Sequence, residues 1–268
     1  MRYQVFMMGG VGNQLFQIAR AVSLDDLGHA CELISLRGGS HDALFRLIGF
    51  TKHHAWLDLD RVAMDLEVVK RDANWTEILR LALIYIRRRL GWSAPFNRLL
   101  PDNHRPFGSG IDVGYFLTAE QITENALRKV GRSLISQLNL SELKSEYRLG
   151  IHVRGLDSSR PVVTKDSSQL LVRFAMENAL PVYVCSDDIT LCRRLFDDND
   201  LKIQFSQKDA VDDFRDLVCS EFLCISDSTF GFWVAVCKQL LFGKLGETYS
   251  LERWQFGDLL NEVVKREI

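Results

Sequence analysis

The chain lacks an excess of charge of either sign: 33 Lys and Arg stand against 35 Asp and Glu, a net charge of -2 with a pI near 6.3. A protein that grips nucleic acid through its overall field sits well above neutrality, so nucleic acid is disfavoured as a partner. Long apolar runs are also missing. No stretch reaches the ~18 residues that a membrane-spanning helix needs. Val5-Phe6-Met7-Met8 is broken at once by Gly9-Gly10, too short for the core of an export signal, so a cytoplasmic protein is expected. The six cysteines (Cys31, Cys185, Cys192, Cys219, Cys224, Cys237) form no C-x-x-C pair and no zinc-type spacing. That argues against a disulfide framework and makes them small buried hydrophobes in a reducing compartment. There is no internal repeat and no low-complexity tract. What remains is 268 residues, 47% hydrophobic and 25% charged. This is ordinary globular composition, long enough for two domains and for burial of roughly three quarters of the unfolded surface.

Along the chain, Tyr3–Met8 fits a buried strand, and Gly9-Gly10-Val11-Gly12-Asn13 interrupts it. From Gln14 a helical period runs through Leu15, Ile18, Ala19, Val22 and Leu27 and ends near Gly28; Cys31–Leu36 is strand-like again. The stretch from Gly38 to Arg105 is irregular. Ile111–Leu117 reads as a strand and Thr118–Leu138 as a helix, with Thr118 as candidate N-cap. The second half alternates more cleanly. Strands are expected at Tyr147–Val153, Pro181–Cys185, Leu201–Phe205 and Phe222–Ile225. Helices are expected at Ser167–Ala179, Ile189–Phe196, Asp209–Cys219 and Ser228–Leu240. Strands alternating with helices predict an α/β fold of two Rossmann-like domains, residues 1–142 and 143–268, with the seam near 138–146 and a cleft between the halves.

Three strand-to-helix junctions and one strand end that runs into a glycine-containing loop carry candidate chemistry. In Gly9-Gly10-Val11-Gly12-Asn13-Gln14, glycines permit close backbone approach and a helix start attracts anions. Leu15 stands where the dinucleotide fingerprint needs glycine, and no Gly-Lys-Ser/Thr follows, so neither nucleotide loop of those types is present. A plain tight turn is the alternative. In Ile151-His152-Val153-Arg154-Gly155-Leu156-Asp157, His152 and Arg154 share one strand face. A guanidinium there can bind a diphosphate bidentately without a metal, or can pair with Asp157. Ser186-Asp187-Asp188 closes a buried strand and suits either a ribose or base contact or a helix cap. Ser226-Asp227-Ser228-Thr229-Phe230 suits either a phosphate cradle or another cap. Two patterns mislead. Asp58-Leu59-Asp60 matches a D-x-D metal motif but reads as a solvated loop, and His53-His54 are adjacent, so no metal site is expected.

Taken in series, these motifs resemble the bacterial α-1,2-fucosyltransferases of glycosyltransferase family eleven. The family's G-G-L-G-N-Q-L-F-Q turn is similar to Gly9-Gly10-Val11-Gly12-Asn13-Gln14-Leu15-Phe16-Gln17, and its G-Y-F-Q to Gly114-Tyr115-Phe116-Leu117. Its H-V-R-R-G-D looks like His152-Val153-Arg154-Gly155-Leu156-Asp157, its S-D-D like Ser186-Asp187-Asp188, and its N-S-T-F-S-W-W like Asp227-Ser228-Thr229-Phe230-Gly231-Phe232-Trp233. The resemblance implies a GT-B (glycosyltransferase-B) architecture, with GDP-fucose held mainly by the C-terminal domain. It also implies inverting transfer without a metal to the 2-hydroxyl of a galactose-containing glycan such as an O-antigen. By position it assigns the diphosphate to Arg154 with His152 beside it. It assigns the guanosine portion to Asp187 with Ser186, and the phosphates and their surroundings to Ser228, Thr229 and Phe230. Gly10, Gly12, Asn13 and Gln14 would face the diphosphate across the cleft. Asp157 is the candidate general base, or a salt-bridge partner of Arg154. Gly155 replaces the second Arg, Leu156 the Gly and Asp227 the Asn, which leaves open a different GDP-sugar or a weakened nucleotide-sugar binder. The acceptor region falls at about residues 38–110. Trp56, Trp75 and Trp92 there can stack on sugars or sit in a core. The basic end of Ile84–Leu90 suits peripheral membrane contact or simple solvation.

Overall fold

The computed structural model describes residues 2–7, 9–35, 57–79, 111–112, 121–143, 147–154, 165–196, 201–226, 228–243 and 248–250. The chain divides into two compact units, Met1–Ser133 and Leu134–Ile268.

The first unit carries β1 (Arg2–Met7), β2 (Ala30–Ser35), β3 (Val69–Asp72) and β4 (Ile111–Asp112), all parallel, in the order β3-β2-β1-β4. Val5, Phe6, Leu33 and Ile34 are all buried. Consecutive burial of this kind marks a parallel sheet covered on both faces. The helix Val11–Asp26 begins three residues before the expected Gln14, because Gly10 is its N-cap and the glycine turn is shorter than the sequence pattern suggests. It stops where the period stops. Gly28 at φ 78° donates to the Asp25 carbonyl and His29 to that of Leu24, a Schellman closure that a left-handed glycine permits.

Two expectations are corrected in this unit. Asp58 does not sit in a loop: its carboxylate accepts the amides of Asp60 and Arg61 and caps the helix Leu59–Asp65, while Asp60 pairs with Lys70. The helix expected from Thr118 is observed over Glu124–Gln137. Thr123 caps it, with Oγ1 accepting the Ala126 amide at 3.2 Å. Thr123 is itself anchored by its own amide to Ser23 Oγ at 2.9 Å, a tertiary contact that no local pattern discloses. Thr118 lies outside the described residues.

The second unit follows the expected alternation within two residues at nearly every boundary. It carries β5 (Leu149–Val153), β6 (Val182–Ser186), β7 (Ile203–Phe205), β8 (Phe222–Ile225) and β9 (Thr248–Ser250), all parallel, ordered β7-β6-β5-β8-β9. Helices Lys165–Glu177, Ile189–Leu195, Ala210–Cys219 and Thr229–Phe242 accompany them. Leu149, Ile151, Val153, Val182, Val184 and Cys224 form the centre of one apolar cluster. In Thr229–Phe242 the residues from Phe232 to Cys237 are all buried, so this helix has no solvent stripe in its first half. The cysteines are free, and four of the six are buried. Burial pushes the Cys192 thiol up to about 11 and that of Cys224 to about 12, which leaves them unreactive packing groups. Among the described residues no helix is long and apolar enough to cross a membrane.

Candidate functional site

Both sheets are open and parallel, and in such sheets ligands gather at the carboxyl ends of the strands where the strand order reverses. In the second unit the reversal lies between β5 and β8, each the other's neighbour although β8 begins at Phe222, 69 positions after Val153 ends β5. The carboxyl end of β5 bears His152 and Arg154, and that of β8 runs through Ser226 and Ser228 into the helix Thr229–Phe242. Two of the sequence motifs therefore meet at one place.

The junction is closed by three contacts. The Ser226 amide donates to the His152 carbonyl at 3.0 Å, the Arg154 amide donates to Ser226 Oγ at 2.9 Å, and Ser226 Oγ stands 3.4 Å from His152 Nδ1. Ser226 is fully buried and His152 nearly so. Burial lowers the imidazole pKa to about 4; the Asp187 carboxylate opposes that shift and Arg154 adds to it. His152 is thus a neutral ring at physiological pH. Its ring centroid lies 5.1 Å from that of Phe230, whose other side meets Phe214 edge-on at 5.5 Å. The Arg154 guanidinium makes no hydrogen bond or ion pair with any described residue, and the residue is half-buried.

Ser228 caps the helix, its hydroxyl accepting the Gly231 amide at 3.0 Å. Gly231 lets that helix start press on the strand end. A Cβ there would lie 3.2 Å from Ile225 Cβ, 3.3 Å from the Ser226 carbonyl and 3.4 Å from His152 Nδ1. Thr229 and Phe230 follow in the first turn, both half-buried. At the end of β6, Ser186 is in register with Val153. Its hydroxyl accepts the Asp188 amide at 2.9 Å, and the Asp188 carboxylate caps Ile189–Leu195 through the Leu191 amide at 2.9 Å. Asp188 is therefore a cap, whereas Asp187 is exposed and its field reaches His152. His152, Arg154, Ser186, Asp187, Ser228 and Phe230 all lie along the carboxyl edge of three adjacent strands.

In the first unit, the turn after β1 places Gly9 at φ 77° and Gly10 in extended conformation. Gln14 stabilises the turn itself: its side-chain amide donates to the Gly9 carbonyl at 2.7 Å. Gly10 offers no side chain to the helix start, and Gly12 and Asn13 occupy the first turn beside the β1–β4 reversal. Asp157, Gly155, Leu156, Asp227 and the Gly114–Leu117 stretch lie outside the described residues, as do His53, His54, Trp56, Trp92 and the Ile84–Leu90 segment. Trp75 is 55% exposed rather than in a core.

Sequence reasoning quoted Ser226 and Gly231 within candidate motifs but assigned neither a role of its own. The available signal for Ser226 was a lone hydroxyl directly after the apolar run Phe222–Ile225; for Gly231 it was a glycine within the first turn of an otherwise apolar helix.

The fold and site define an α/β protein with Rossmann-type sheets and a basic residue at a strand-reversal point. No family model matches the chain, and no curated protein matches it. Solved structures do. POFUT1 in complex with GDP has 10% identity and a TM-score of 0.45, with 93% of this chain and 98% of that chain covered. The E. coli heptosyltransferase WaaC with ADP has 11% identity and a TM-score of 0.47, covering 98% of this chain and 96% of that chain. A glycosyl transferase family 9 protein from Veillonella parvula has 10% identity and a TM-score of 0.43, covering 97% and 90%. Identities this low transfer no residue roles.

Proposed function

We propose that the protein is a nucleotide-sugar glycosyltransferase that moves L-fucose from GDP-fucose to the 2-hydroxyl of a galactoside in a surface glycan. It would act in the cytoplasm, in a GT-B arrangement and without a metal. The observation that carries this reading is the meeting of Arg154 and His152 with the Ser226–Phe230 helix start. These are the motifs that resemble family eleven, brought to the one edge of the sheet where ligands bind.

In the proposed reaction the acceptor hydroxyl attacks C1 of fucose from the face opposite GDP, its proton passing to a carboxylate for which Asp157 is the candidate. The bond from C1 to the diphosphate oxygen breaks through an oxocarbenium-like transition state and the configuration inverts. Negative charge grows on the leaving diphosphate. Arg154 and the donors around it are then worth more in the transition state than in the ground state. Asp187, exposed at the end of β6, is the candidate for the guanosine portion.

Calorimetry with GDP, GDP-fucose, GDP-mannose and NAD, each with and without magnesium, tests the reading. Metal-independent binding of GDP and GDP-fucose is expected, followed by release of GDP from GDP-fucose when a lactose-type acceptor is added. Preference for GDP-mannose moves the assignment to another GDP-sugar. Binding without turnover makes the protein a nucleotide-sugar binder, the reading that Gly155 and Asp227 motivate.

A further inference from the structure

Ser226 is the joint between the two halves of the candidate site, and its hydroxyl has a hydrogen to place. The side chain is fully buried, with no water-facing direction. One lone pair is occupied by the Arg154 amide at 2.9 Å, and the only other polar neighbour among the described residues is His152 Nδ1 at 3.4 Å. Had Nδ1 carried the proton, the oxygen would accept two N–H groups and its own hydrogen would be buried without an acceptor among the described residues, which is unfavourable. Placing the hydroxyl hydrogen on Nδ1 satisfies every group. A neutral imidazole that accepts at Nδ1 carries its proton on Nε2.

We propose that Ser226 is a positioning residue that fixes His152 as the Nε2–H tautomer, so that the ring acts as a neutral hydrogen-bond donor toward the phosphate of a bound nucleotide. The phosphate part of this inference rests on the GDP-sugar reading above; the tautomer does not. Three residues cooperate locally. Arg154 supplies the amide that orients the hydroxyl, Phe230 lies tilted against the ring at 5.1 Å, and Gly231 allows the helix start to approach Nδ1. A neutral donor keeps its hydrogen bond across the physiological pH range and adds no charge beside Arg154.

The test is nitrogen NMR of the histidine-labelled protein, with the His152 signals assigned through His152→Gln. Wild type should show an unprotonated Nδ1 and a protonated Nε2. Ser226→Ala should show a tautomer mixture, together with roughly tenfold weaker GDP binding, the lower end of what an orienting partner contributes to a ligand it does not touch. A protonated Nδ1 in wild type overturns the proposal even if Ser226→Ala fails to fold. So does an unchanged tautomer in a folded Ser226→Ala, or an unchanged GDP affinity there. Absence of GDP binding to wild type removes the phosphate role and the GDP-sugar reading with it, while the tautomer spectrum still decides the role of Ser226 toward His152.

Discussion

The backbone amide of Arg154 is held by the side chain of Ser226 at 2.9 Å, across neighbouring strands and 72 residues apart in sequence. The contact leaves the Arg154 guanidinium out of the anchoring. Main chain fixes the residue and the side chain remains available for a ligand. Arg154→Ala should therefore keep the fold and lose the function. We expect turnover to fall by two or more orders of magnitude, the effect of removing one donor that stabilises developing charge. The melting temperature should stay within a degree or two of wild type. GDP release from GDP-fucose and thermal denaturation measure the two quantities, and near wild-type turnover in the folded variant would sink the assignment of Arg154.

The same edge of the sheet makes a prediction about acid. His152 titrates at about 4 in the folded protein against an ordinary value of 6.5, chiefly because it is buried. Between those values the unfolded chain binds the extra proton and the folded chain does not. Stability contributed by this site is thus fully present above pH 6.5 and is lost as pH falls toward 4, by up to about 3 kcal/mol. Denaturant titrations across that interval should show a shallower acid slope in His152→Gln than in wild type. Parallel slopes in the two proteins would mean that His152 is not buried in neutral form.

The parts of this picture that were legible in the sequence are those written in local pattern. The alternation in the second half marked β5 through β8 because each strand is mainly apolar and separated from the next by a helical period; Phe222–Ile225, apolar throughout and followed by polar residues, is the plainest case. Gly28 marked the end of the first helix because a Schellman turn needs its left-handed backbone. What did not show was set by partners distant in sequence. Thr123 caps its helix through a contact to Ser23, and Ser226 gains its role only when β8 lies beside β5. The caps at Ser228 and Asp188 also illustrate a degeneracy: hydroxyls and carboxylates at a helix start look alike in sequence whether they serve a ligand or the helix.

Gly150 in the middle of β5 gives a stability prediction that is independent of function. A Cβ there would lie 2.8 Å from Ser220 Oγ and 3.1 Å from both Leu217 Cδ2 and Ser220 Cβ. The end of the helix Ala210–Cys219 therefore packs directly on the strand backbone. Ser220 is held against movement, its hydroxyl donating to the Leu217 carbonyl at 2.7 Å. Gly150→Ala must push the helix end away from the sheet, and overpacking of this kind costs about 1–3 kcal/mol. Urea denaturation should show the midpoint reduced. A midpoint equal to that of wild type would show that the helix end yields freely.

At the opposite limit of pH, Lys238 should act as a brake on stability. It lies in the long helix Thr229–Phe242, 3% exposed, with its amine donating to the Ser220 carbonyl and lying 5.2 Å from the Phe242 ring. Burial lowers its pKa to about 8 from 10.5, against the opposing pull of Cys219 and Glu221. Below pH 8 the amine is charged in both folded and unfolded chains, and the desolvation cost of that charge is fully present. Between 8 and 10.5 the unfolded chain alone holds the proton, so stability rises with pH through that window. Lys238→Met removes the charge and keeps an unbranched apolar side chain. Replacing a buried charge by a hydrophobe of similar volume is often neutral or stabilising, although here the Ser220 carbonyl loses its donor. The difference in unfolding free energy between wild type and variant should therefore move in favour of wild type from pH 8 to 10.5. A difference that stays constant over that range would show that Lys238 keeps its proton at an ordinary pKa.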